Sequence, residues 1–157
     1  MPAPRYACTT ESAVALSAAT AKSIVGVKAH ANSGLMVRGF TVGFDGVTAS
    51  AVPVLVELCY STFATNPPGT NSTSTTPRQM SGRSLTAGFT SAKNWTSEPT
   101  VLTQAFPEML LTPNGGVIVY DFPDGTEPDC ALAEGFVLRC TAPATVNVRG
   151  GLIVSRI

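Results

Sequence analysis

The chain is poor in charge and in the residues that make chemistry easy. It has one histidine, His30, and its ten basic residues balance its ten acidic ones. Only 13% of it is charged, about half of the ~25% of an average soluble protein. A zero balance excludes a basic nucleic-acid binder, whose affinity comes from neutralising phosphates. No apolar run nears the ~20 residues of a membrane helix, so no membrane partner is expected. The opening Met1-Pro2-Ala3-Pro4-Arg5 has no apolar signal-peptide core, so export is not expected from it. What is abundant is apolar: 44% of the residues are hydrophobic, which with low net charge predicts a folded chain. At 157 residues, one core is the expectation.

Missing motifs narrow the chemistry. A lone histidine cannot supply a cupin-type metal site, which needs several imidazoles. There is no Gly-x-Ser-x-Gly elbow and no phosphate-binding glycine loop, since Gly115-Gly116 lacks the flanking Gly-Lys pattern. Cys8, Cys59, Cys130 and Cys140 form no C-x-x-C pair, which argues against zinc-ribbon or thioredoxin-like sites. Their apolar contexts suit buried free thiols; a Cys130–Cys140 or Cys8–Cys59 disulfide is the alternative, and it requires an oxidising compartment. Asp121, Asp124, Glu127 and Asp129 form an acidic stretch without EF-hand spacing, read as a solvated turn before a calcium loop. Glu57 with Glu108 or Glu134 cannot be placed across a cleft from sequence, as glycosidase chemistry would need. No enzyme, cofactor or small-molecule substrate is expected.

Strand signals dominate what is present. Residues 35–44 alternate, with Met36, Phe40, Val42 and Phe44 on one face, before an Asp45-Gly46 turn. Residues 52–63 alternate again, with Val54, Val56, Leu58 and Tyr60 on one face and Leu55, Glu57, Cys59 and Ser61 on the other. The two segments read as antiparallel strands joined by a loop at 46–51. Residues 84–89, 100–106, 117–122 and 136–141 are further strands. A long terminal strand spans 145–154, with a bulge preferred at Gly150-Gly151. In 9–28 an alanine-rich helix competes with a hairpin, and consistency with the rest favours the hairpin. Residues 66–78 hold no large apolar side chain and predict a long exposed loop; Asn71-Ser72-Thr73 and Asn94-Trp95-Thr96 match the glycosylation sequon, which matters only after export. The sum is an all-β, antiparallel β-sandwich of about eight strands, jelly-roll-like because long links suit strands that cross between sheets. Residues 1–8 read as an extended N-terminal arm ahead of a single domain at 9–157.

The arm and one loop supply the candidate interface. Pro2 and Pro4 favour an extended segment that carries Arg5 and Tyr6. Trp95 lies in a polar stretch, where it either anchors an interface or caps the sandwich. A neutral, weakly charged surface also invites association, because self-repulsion is what keeps small domains apart.

Four stretches, MPAPRY (1–6), TTESAVALSAATAKSIVGVKA (9–29), VRGFTVGFDGVTASAVPVLVELCYST (37–62) and RCTAPATVNVRGGLIVS (139–155), carry a further reading. Together they resemble small virion proteins of tailed bacteriophages, of the head decoration or minor structural kind. The resemblance spans the chain except residues 66–78 and 93–100. It implies a β-sandwich clamped to the capsid exterior, commonly as a homotrimer, with the major capsid protein and its own copies as partners. It implies a virion protein made in the host cytoplasm, and it assigns no functional residue. A carbohydrate-binding or adhesive sandwich of a tail or cell surface, using Trp95 or Tyr60 to stack on sugar, is the rival. An enzyme built at a subunit junction from His30 and the 121–129 segment comes third.

Overall fold

The computed structural model describes residues 3–45 and 52–157. The loop expected at 46–51, the Gly46 half of the Asp45-Gly46 turn, and Pro2 of the candidate interface lie outside these residues. Among the described residues there are fourteen strands: β1 (Arg5–Thr9), β2 (Val14–Leu16), β3 (Ala21–Lys28), β4 (Leu35–Phe44), β5 (Val54–Ser61), β6 (Thr73–Thr75), β7 (Arg78–Gln79), β8 (Thr90–Lys93), β9 (Val101–Gln104), β10 (Met109–Leu111), β11 (Val117–Asp121), β12 (Asp129–Cys130), β13 (Gly135–Thr141) and β14 (Val146–Arg156). They form two antiparallel sheets packed as a sandwich. The first runs β11-β4-β14-β1-β7, with β12 also on β4 and β2 also on β14; the second runs β10-β5-β13-β3-β8-β6, with β9 also on β5.

The all-β sandwich is as the alternation predicts, and the strand count is larger. The uncounted strands, such as β7, β10 and β12, are two or three residues long, too short to show a period. Their pairing is set by longer neighbours: β12 by β4, β10 by β5, β7 by β1.

Connectivity departs more from expectation, because among the described residues no two strands consecutive in sequence pair with each other. The hairpin expected in 9–28 is therefore two strands in different sheets, β2 on β14 and β3 on β13 and β8. Likewise β4 and β5 lie in opposite sheets. Period two reports a strand's faces; it is silent on its neighbour.

The core between the sheets is filled by the inward residues of the longest strands: Val25 and Val27 on β3, Phe40 and Val42 on β4, Val56 and Leu58 on β5, Phe136 and Leu138 on β13, Val148 and Leu152 on β14. The phase of β4 needs correcting. Val154 pairs with Val37 and Ile153 with Gly39, so Arg38 is an extra, unpaired residue. This bulge turns Leu35 and Val37 to the core along with Phe40 and Val42, and leaves Met36 on the outer face. The bulge expected at Gly150-Gly151 is absent; those glycines stay in register with Val42 and Thr41 inside one long β14, and the irregularity lies three residues on. The strand expected at 84–89 is irregular backbone, with pairing beginning at Thr90.

Candidate interaction surface

The extended N-terminal segment is not an arm. Arg5 to Thr9 form β1, held between β14 and β7, with Arg5 opposite Ser155 and Ala7 opposite Arg78. Alternation then sorts its residues. Tyr6 points inward, 2% exposed, edge-on to Phe89 at 5.4 Å, and its hydroxyl donates to the Leu85 carbonyl at 3.2 Å. Arg5 stays exposed and Pro4 is half-buried. Of the candidate interface residues described, Arg5 alone presents an open side chain.

Trp95 is a cap. It is 1% exposed, lies near-parallel to Phe63 at 6.3 Å, and donates its indole N–H to the Asn66 carbonyl at 2.9 Å. It rests over Gly26 of β3, where a Cβ would come within 2.9 Å of its ring. Trp95, Phe63, Cys59, Ala92 and Val137 thus form a second small core on the outer face of the second sheet. Glu98 ties the same covering segment down, accepting from the Ser23 amide and hydroxyl at 2.7 and 2.6 Å. The long loop at 66–78 is likewise fastened: Thr73–Thr75 pair with β8, and Arg78–Gln79 pair with β1. Thr, Ser, Arg and Gln supply those ladders through their backbones, helped by a Thr75–Ser91 hydroxyl contact at 2.7 Å, so composition hides them.

Several of the polar residues that could carry chemistry are paired with each other. Glu57, nearly buried, accepts from Arg139 Nε and Nη2 at 3.0 and 2.9 Å and from Gln104 at 2.8 Å. Gln104 also reaches Glu108 at 3.4 Å, which brings the two glutamates together around one amide. With the Arg139 guanidinium filling one of its oxygens, Glu57 is a clamp between β5, β13 and β9. In the acidic segment, Arg38 pairs with Glu127 and, at 3.6 Å, with Asp124, while the Gly125 amide donates to Glu127 at 2.6 Å. The Glu127 carboxyl is held below its ordinary pKa, first by its own backbone amide, then by Gly125 and Arg38, against the opposing effect of burial. Among the described residues no three His, Cys, Asp or Glu side chains are grouped to hold a metal ion. His30 accepts the Asn32 amide through Nδ1 and borders an open depression with Lys28, Pro67 and Phe89.

All four cysteines are buried and unpaired. Burial pushes Cys8 and Cys140 up to about 12, and Cys59 and Cys130 up to about 11. At neutral pH they are thiols, and the thiolate is the reactive form.

What the two sheets leave open is one flank. Phe106, on the link from β9 to β10, packs on Tyr120 at 4.7 Å and Phe122 at 5.4 Å, so the sheet edges meet there around an aromatic cluster that includes Phe40. Among the described residues β11 ends the first sheet with a partner on one side only. Its inward Ile118 and Tyr120 pack on the core, whereas outward Val117 and Val119 are 68% and 72% exposed. Leu110 of β10, at 69%, is exposed on the outer face of the second sheet. Behind β11, the outer face of the first sheet sinks into a shallow groove of about 430 Å³ bordered by Thr9, Thr41, Gly43, Val117, Arg78 and Arg149. The run Val117-Ile118-Val119-Tyr120 held a signal for this surface: consecutive apolar residues on a strand point to both faces, so one face is buried only if something else covers it.

Compared with protein-family models, with curated proteins and with solved structures, the chain matches none.

Proposed function

We propose that this chain is a non-enzymatic structural protein of a phage virion, a capsid decoration (cement) protein that binds the outer surface of the head and works as an assembly of copies, three in the family it resembles. The observation that supports this reading is the open flank: a β-strand edge carrying Val117 and Val119 at about 70% exposure, in a chain of zero net charge. Such edges are templates for association, and soluble monomers blunt them with Lys or Pro. β11 has neither; its single charge is Asp121 at its end.

A decoration protein acts without a reaction. Its contacts span neighbouring capsid subunits, so loss of a subunit must also break them, and binding stabilises the shell by mass action. The partners are the major capsid protein and further copies of the chain. The carbohydrate-binding rival depends on a free aromatic face; Trp95 is covered, and Tyr60 is half-buried against Phe136 at 5.0 Å.

The test is reconstitution: purified chain added to heads stripped of it. Saturable binding and a higher temperature of DNA release support the proposal. Heads that neither bind the chain nor gain stability contradict it.

A further inference from the structure

Outward residues of the first sheet line up in rows across its strands, and two of these rows are polar in the same sense. One runs Asp121 on β11, Gly39 on β4, Ile153 on β14, Ala7 on β1 and Arg78 on β7. The next runs Asp129 on β12, Met36 on β4, Ser155 on β14 and Arg5 on β1. Each begins with an exposed aspartate at one edge and finishes with an exposed arginine near the other. Four strand spacings of ~4.8 Å separate Asp121 from Arg78, about 19 Å, too far for the charges of one copy to meet.

The surroundings repeat the division. Near β11 and β12 stand four carboxylates, Asp121, Asp124, Glu127 and Asp129, of which Asp124 and Glu127 pair with Arg38. Near β7 stand Arg5, Arg78 and Arg83, all exposed and without an ion pair among the described residues. Both edges also carry open apolar side chains: Val117 and Val119 on the acidic side, Met80 and Leu85 on the basic side, at 57% and 51%. The Met80 amide donates to the Arg5 carbonyl at 2.8 Å, which seats Met80 beside the arginines.

We infer that the chain associates with itself head to tail, the acidic β11–β12 edge of one copy meeting the basic β1–β7 edge of the next. The occupant is a second copy because complementary charge and exposed apolar groups stand at opposite ends of the same rows. β11 and β7 run in the same direction, since four antiparallel steps separate them. Rotation about an axis along the strands therefore carries one edge towards the other, and a heterologous contact of this kind closes into a ring where the rotation divides a full turn and runs on as a filament where it does not. The inference deepens the decoration reading and rests on its assembled state; it names the surface that makes the assembly.

Charge reversal tests it in the full-length chain by analytical ultracentrifugation. Asp121→Lys/Asp129→Lys and, separately, Arg5→Glu/Arg78→Glu each set like charges against each other and should weaken association about tenfold or more. The fourfold variant with both edges reversed restores opposite charge and should regain the wild-type assembly. Unchanged near-ultraviolet circular dichroism confirms that each variant folds, and the fourfold rescue separates lost contact from lost fold. An isologous contact through β11 predicts no effect of the arginine pair and no rescue; either result overturns the inference. A wild-type chain that stays monomeric also overturns it, and head binding by that monomer leaves the decoration reading standing. A monomer that ignores heads removes both.

Discussion

Trp95 and Gly26 show how one side chain and one missing side chain organise a surface. The indole covers the outer face of β3 only because position 26 has no Cβ, and its N–H holds the Asn66 turn. Trp95→Ala should cost about 3–5 kcal/mol in urea unfolding, as large aromatic truncations in a packed site do. Gly26→Ala should cost about 1–3 kcal/mol by overpacking against Trp95, Val137 and the Phe136 carbonyl. In the Trp95→Ala background the glycine substitution should cost measurably less, because the closest of those contacts is gone; strict additivity would contradict the contact. The sequence raised capping for Trp95, but its polar neighbours equally suited an open aromatic. What decided the matter, a glycine 69 positions earlier, is a relation that no local window holds.

At the scale of elements, the connection between β11 and β12 is held by Arg38 and Glu127. The folded-state pKa of Glu127 lies below its ordinary value, so its carboxylate stabilises the fold fully above the usual glutamate pKa of ~4.3 and loses that contribution as pH falls through the lower folded value. Glu127→Gln should therefore be less stable than wild type at neutral pH, and the difference should shrink below about pH 4; a difference that persists or grows in acid contradicts the pairing. The N-terminal segment offers a second test. As β1 it bridges β14 and β7 and buries Tyr6 and Cys8, so deletion of residues 3–9 should abolish cooperative unfolding, where removal of a loose arm would leave it intact. The strands that could be read from sequence are those with a sustained period, such as β5, β13 and β14. The misread ones were hidden by physical causes. A bulge at Arg38 reversed the phase of β4, Pro2 and Pro4 gave β1 the look of a free arm, and β6 and β7 are built from Thr, Ser, Arg and Gln, which report no buried face. The exposed row on β11 was half readable: the apolar run Val117-Ile118-Val119-Tyr120 says that both faces of the strand are apolar, without saying which has a neighbour.

Across the whole molecule, zero net charge covers an uneven layout on the first sheet: Asp121, Asp124, Glu127 and Asp129 stand near β11 and β12, and Arg5, Arg78 and Arg83 near β7, with apolar side chains exposed on each side. Neutrality of this kind favours contact between proteins, and the grouping of carboxylates and arginines gives that contact a direction. As a proposed multi-copy component of a virion, the chain should be found by a quantitative mass-spectrometric inventory of purified particles. The expected result is the chain in intact particles and in isolated heads, in a fixed many-copy ratio to the major capsid protein. Finding it only in the soluble lysate, and absent from particles that are otherwise complete, would contradict it.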